Sequence, residues 1–142
     1  AAGNEQMIEA LNLIQDHLFV GIFPALQEAG IAALLDPKSE EAVAQLNATY
    51  DGRRDAFVQA AAKIGWQAFP SRGSFYAWMP VPEGDTSESF ADLLLEKAHV
   101  AVAPGKGFGP AGDAYVRIGL LVEPERLVEA VDRIANLHLF NN

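Results

Sequence analysis

Two short apolar runs, Val100-Ala101-Val102-Ala103 and Tyr115-Val116-Arg117-Ile118-Gly119-Leu120, flank the loop Pro104–Gly112, in which six of nine residues are Gly or Pro. Such a loop cannot continue a helix, so the segment reads as strand, tight loop, strand. Arg117 lies inside the second run, which is otherwise built for burial. An arginine there needs an anionic partner or costs several kcal/mol as an unpaired charge, on the order of the penalty for any isolated buried ion. Two partners are open. Arg117 can pair a nearby acid such as Asp113 or Glu123 and stitch the sheet edge. Alternatively its planar guanidinium can take a substrate carboxylate through two parallel hydrogen bonds, a geometry lysine does not match. Phe75, Tyr76 and Phe108 either wall that pocket or belong to the core.

The rest of the chain supplies helices. Asn4 is the expected N-cap of a helix with apolar residues at Met7, Ile8, Leu11, Ile14, Leu18 and Val20. Gly21 and Pro24 interrupt it, and helix resumes from Pro24 to about Leu35 before Asp36-Pro37. With Phe19, Ile22, Phe23, Ile31, Leu34 and Leu35 added, residues 1–36 form a helical arm too apolar to stand alone, expected to pack on something outside the chain. A long helix follows from about Ser39, its N-cap, to Ile64, with a buried stripe of Val43, Leu46, Tyr50, Phe57, Val58 and Ala61 and with Arg53, Arg54 and Asp55 facing water or a partner. Gly65 closes it. Strands are expected at Trp66–Phe69, Ser74–Met79, Val100–Ala103 and Tyr115–Leu121. Thr86 or Ser87 caps a helix to His99 carrying Phe90, Leu93, Leu94 and Ala98. Pro124 opens a last helix to about Phe140 with Leu127, Val128, Val131, Ile134 and Leu137 inward. The order is α+β: a small, mostly antiparallel sheet with helices on one face, over residues 37–142.

Several functions are excluded or weakened. The 142-residue chain has a formal net charge of −9 and one basic doublet, Arg53-Arg54, so it offers no basic face for nucleic acid. It has no cysteine, hence no disulfide, thiolate metal site or cysteine nucleophile. That usage fits a cytoplasmic protein. No apolar run reaches the roughly 20 residues that span a bilayer. The glycine loop is not a phosphate loop, because Gly107 and not Ser or Thr follows Lys106, and a strand, not a helix, comes next. Lys106 between two glycines lacks the desolvated pocket of a Schiff-base lysine. His17, His99 and His138 have no metal-ligand spacing. Ser71, Ser74, Ser87 and Ser89 lack a nucleophile-elbow context. No catalytic residue and no metal ligand are assigned.

Arg53-Arg54-Asp55, then Gly65, then Pro70-Ser71-Arg72-Gly73-Ser74-Phe75-Tyr76-Ala77-Trp78 resembles a stretch of the class I/II aminotransferases, fold-type-I pyridoxal-phosphate (PLP) enzymes. Phe90-Ala91, Leu93-Leu94-Leu95-Glu96, Val102-Ala103-Pro104-Gly105, Phe108-Gly109, Tyr115-Val116-Arg117 and Glu125-Arg126-Leu127 continue the match in order, over essentially the whole chain. The resemblance implies the C-terminal small domain, with residues 1–36 leading out of a missing large domain. Ala2 to Ile8 resembles the phrase after the family's Ser-Lys motif, so the chain reads as a fragment without its cofactor lysine. It further implies that Arg117 binds the substrate α-carboxylate and Phe108 borders the substrate. The intact enzyme would be a PLP-dependent homodimer moving an amino group between an amino acid and a 2-oxo acid, while this fragment alone would bind no PLP. Two alternatives remain: a PLP-dependent C–S lyase relative, and a free-standing α+β amino-acid-binding or regulatory module without catalysis.

Overall fold

The computed structural model describes residues 3–19, 21–69 and 72–140, without the side chain of Phe19. Ala2, Val20, Pro70 and Ser71, which entered the sequence reading, lie outside the described residues. The chain divides into two compact units between Ala44 and Gln45, within its longest helix.

In the first unit, the Asn4 side chain accepts from the Met7 N–H at 3.3 Å and starts α1 (Glu5–Ile14), as a short polar cap should. A single π-helical turn, Gln15–Phe19, follows. Gly21, at φ +99°, makes a bend that an L side chain resists, and Pro24 sets the first turn of α2 (Pro24–Leu35). Neither helix contains a buried residue. After Asp36-Pro37 comes α3 (Ser39–Lys63). The expected cap is displaced here: Ser39 is already helical, and the Asp36 carboxylate accepts from the Lys38 N–H at 2.8 Å. An Asp-Pro turn therefore does the work assigned to serine.

The second unit holds the core. Its sheet has three strands, β1 (Tyr76–Pro80), β2 (Ala103–Pro104) and β3 (Tyr115–Gly119), in the antiparallel order β1-β3-β2. Alternation along β1 and β3 sends Ala77, Met79, Val116 and Ile118 inward. They meet Phe57 and Ala61 of α3, Phe90 and Leu94 from α4 (Ser87–Leu93) and its π-helical extension to Ala98, and Leu127, Val131 and Ile134 of α5 (Pro124–Ala135). The helices thus back one sheet face, as the α+β reading expects.

Several local expectations need correction. The strand expected at Val100–Ala103 is only the pair Ala103–Pro104, and the last helix ends at Ala135 and not near Phe140. Trp66–Phe69 is not a strand. Once Gly65 ends α3 at φ +82°, Trp66 becomes a core plug, packed against Phe57, Phe90 and Phe140 while its indole N–H donates to the Pro80 carbonyl at 2.7 Å. The strand after it begins at Tyr76 and not Ser74, because Ser74 sits at φ +72°, outside extended space. The stripe of α3 is shorter than expected: Val43 and Leu46 are exposed and burial starts near Phe57. Of the two surroundings open to Arg53, water is not the one it takes. It is 14% exposed, ion-paired with Glu123 at 2.6 Å and placed over the Tyr50 ring.

Candidate carboxylate-binding site

The sheet face away from the helices carries Tyr76, Trp78, Tyr115 and Arg117, because residues two apart share a face and Trp78 stands directly across from Arg117. Arg117 is half-buried. Its guanidinium carbon lies 4.0 Å from the Tyr76 ring centroid and 4.2 Å from that of Phe108, so two aromatic rings contact one cation. Each such contact is worth about 0.5–1 kcal/mol when partly solvated. Both rings lie against the guanidinium within contact range, and neither supplies the hydrogen-bond acceptors its N–H groups need.

Neither acid that the sequence offered reaches Arg117. Glu123 is taken by Arg53. Asp113 accepts from the Ser87 hydroxyl at 2.8 Å and the Ser87 N–H at 3.2 Å. The Ser87 hydroxyl bond is the main cause that holds the Asp113 carboxyl below the usual aspartate range, with the charge of Lys106 adding to it. Among the described residues, Arg117 forms no ion pair.

Phe108 arrives on the Gly/Pro loop, which folds as two 3₁₀ turns, Gly105–Phe108 and Pro110–Ala114, joined at Gly109 with φ +125°. The loop is closed on itself: a Cβ on Gly112 would fall 2.0 Å from the Gly105 carbonyl oxygen, and one on Gly105 would fall 2.2 Å from the Gly112 oxygen. No room is left inside it for a phosphate. Lys106 extends outward and pairs with Glu88 at 2.7 Å, which raises its pKa above the ordinary lysine value, opposite to what an imine-forming lysine needs. Neither the glycine loop nor Lys106 therefore fits PLP.

Of the aromatic residues weighed from sequence, Tyr76 and Phe108 reach Arg117. Phe75 packs on Tyr50 and Tyr76 and lines a separate hollow with Arg54 and Arg72. Sequence reasoning passed over Phe69, Trp78 and Tyr115, which with Phe108 line an apolar hollow of about 440 Å³ beside the arginine. The signal was present: Trp78 and Tyr115 follow the same alternation as Tyr76 and Arg117. Among the described residues no three potential ligands gather for a metal. Ser89 serves the cap of α4, Ser87 bonds to Asp113 in the glycine loop, and Ser74 serves the bend before β1.

Comparison with known proteins gives the class. The family description aminotransferase class I and II matches residues 1–134, and the chain belongs to that family. It is 56% identical over 140 residues to the L-glutamine--4-(methylsulfanyl)-2-oxobutanoate aminotransferase of Bacillus subtilis (strain 168), covering 99% of this chain and 35% of that protein. It is 43% identical to the LL-diaminopimelate aminotransferase of Moorella thermoacetica, covering 94% of this chain and 34% of the relative. Among solved structures, substrate-bound BacF from Bacillus subtilis superposes with TM-score 0.87 at 43% identity, over 97% of this chain and 35% of that one. An aromatic aminotransferase from Pyrococcus horikoshii OT3 gives TM-score 0.88 at 33% identity, over 96% and 37%. The chain thus spans about a third of the length of these relatives. Membership implies PLP, with amino- and oxo-acid substrates, for the enzymes of the family.

Proposed function

We propose that this chain is the C-terminal small-domain portion of a PLP-dependent aminotransferase that moves an amino group between an amino acid and a 2-oxo acid, with Arg117 holding the substrate α-carboxylate and Phe108 bordering the substrate. The observation that carries the reading is a half-buried arginine between two aromatic rings, on a sheet face without helices, whose two candidate acids are both engaged elsewhere. The bound carboxylate fixes the substrate's Cα, while PLP, held by residues outside this chain, supplies the electron sink. On this reading residues 1–36 pack on the missing large domain, and the intact enzyme is a cytoplasmic homodimer. Among the described residues no helix is long and apolar enough to cross a membrane.

In the full-length enzyme, Arg117→Lys should leave the protein folded, raise the amino-acid KM and lower kcat/KM by roughly ten- to a hundredfold, about the 1.5–3 kcal/mol of a charge-assisted bidentate contact. An unchanged kcat/KM with a large drop in melting temperature would return Arg117 to a purely structural role. A free-standing amino-acid-binding module would instead bind amino acids as the isolated 142-residue chain, with Arg117→Lys abolishing that binding. The chain alone is expected to form no imine with PLP. Saturable borohydride trapping of PLP on one lysine, Lys106 in particular, would overturn that expectation.

A further inference from the structure

Phe108 is 52% exposed, so burial does little to hold its ring against Arg117. What positions it is an edge-to-face contact with Trp78, at 5.6 Å between ring centroids, together with the backbone that carries it. That backbone is joined to α4 through one buried side chain. Ser87 is fully buried, and its side chain is the only fully buried polar one among the described residues. Its hydroxyl donates to Asp113 Oδ1 at 2.8 Å and accepts from the Lys106 N–H at 3.2 Å, while its own N–H donates to the same Asp113 oxygen at 3.2 Å. One serine therefore joins both 3₁₀ turns, the one that ends in Phe108 and the one that leads into β3 and Arg117.

Helix α4 does not need this serine. Thr86 is the N-cap, its hydroxyl accepting from the Ser89 N–H while the Ser89 hydroxyl accepts from the Thr86 N–H, a complete capping box. The bonds from Ser87 are thus additional to helix formation. The ion pair between Lys106 and Glu88 is no substitute, since both side chains are more than half exposed and such pairs contribute little. The Gly105–Gly112 contact closes the loop on itself but does not fix it to α4.

We infer that Asp113 and Ser87 are positioning residues, a buried clasp that holds the loop so that Phe108 stacks on Arg117 and restricts the guanidinium to the orientation that receives a carboxylate. The inference rests on the reading of Arg117 as the carboxylate ligand. A stacked arginine has already lost much of its rotamer freedom, so less is lost when the substrate binds. With the clasp open, Phe108 leaves the guanidinium and Arg117 keeps only the Tyr76 ring to restrict it.

Two measurements test this. In NMR spectra of the 142-residue chain, the Arg117 Nε–H resonance should carry ring-current shifts from Tyr76 and Phe108. Asp113→Ala should move it toward its unstacked position and leave the Trp66 indole N–H, bonded to Pro80, in place. In the full-length PLP-loaded enzyme, the same variant should raise the amino-acid KM about three- to tenfold, the range for losing one or two hydrogen bonds, with kcat less affected. Asp113→Asn keeps an acceptor oxygen for Ser87 and should recover most of both signals. Should Asp113→Ala not fold, Ser87→Ala removes only the hydroxyl and is read the same way. If Arg117→Lys weakens substrate binding and the clasp variants leave both the Arg117 resonance and KM unchanged, the clasp is structural and this inference fails while the carboxylate reading stands. If Arg117→Lys itself changes nothing, the carboxylate reading fails with it.

Discussion

The two units of the chain use apolar residues in opposite ways. In residues 45–142 large apolar side chains converge: Trp66, Phe57, Phe90, Met79 and Leu94 are all essentially inaccessible. In residues 1–44 comparable side chains, Met7, Leu13, Leu18, Phe23, Leu34 and Leu35, stay exposed, Leu34 at 82%. The helical signals are sound in both, with an Asn4 cap and Pro24 at a first turn in one and a capping box and Pro124 in the other. Capping and propensity thus decide that helices form, and only a sheet to pack on decides whether their apolar residues are buried.

The sharpest way to break this contrast is truncation of matched residues. Phe90→Ala should cost about 3–5 kcal/mol in urea unfolding, since it empties a site at 0% exposure against Trp66 and Phe140. Leu34→Ala should shift the midpoint by no more than about 0.5 kcal/mol. Deleting residues 1–36 should leave a cooperative transition and a more soluble protein. Loss of cooperativity on deletion, or similar costs for the two alanine variants, would show that the first unit is part of the folding core.

How much of this was legible follows the range of each interaction along the chain. Asn4, Gly65 and Pro124 act within one turn of themselves and were read correctly. Arg117 was legible because its charge conflicts with its apolar neighbours, and a two-residue period then places it beside Tyr115. Trp66 was misread because an aromatic residue after a helix C-cap looks the same whether it enters a ladder or a core. Its hydrogen bond to Pro80 and its ring partner Phe140 are set by tertiary packing. The Ser87–Asp113 clasp joins residues 26 apart and the Arg53–Glu123 pair residues 70 apart, and no local pattern announces either. Asp113 and Glu123 were offered to Arg117 on sequence proximity alone. Each went to a partner from another element.

A smaller effect probes the same contrast through glycine. Gly112→Ala forces a methyl to 2.0 Å from the Gly105 oxygen, so the two turns must separate. Overpacking of this kind costs about 1–3 kcal/mol. Gly30→Ala, in α2 with nothing within 4 Å, should be neutral or stabilising by up to roughly 1 kcal/mol through helix propensity. Melting curves of the two variants check both signs at once. Equal destabilisation would mean that α2 is as constrained as the glycine loop.

The smallest effect concerns acid. Bonds from Ser87 hold the Asp113 carboxyl below its ordinary pKa, and the bond from Arg133 does the same for Glu129, both in the second unit. For a depressed carboxylate the folded state binds its proton less readily than the unfolded chain does. Its stabilisation is therefore complete above the unfolded value near 4 and is lost as pH falls through that value toward the folded one. Lys106 and Arg54 are shifted upward, so their contributions persist through neutral pH and decline only far into the alkaline range. Stability should thus be level around neutrality and fall on the acid side below about pH 5. Asp113→Asn, which keeps an acceptor for Ser87 but cannot ionise, should make that acid limb shallower without flattening it, because Glu129 still titrates. Melting temperatures from pH 3 to 7 for both proteins provide the check. An unchanged acid limb in Asp113→Asn would mean that the Ser87 bonds do not distinguish the charged from the neutral carboxyl.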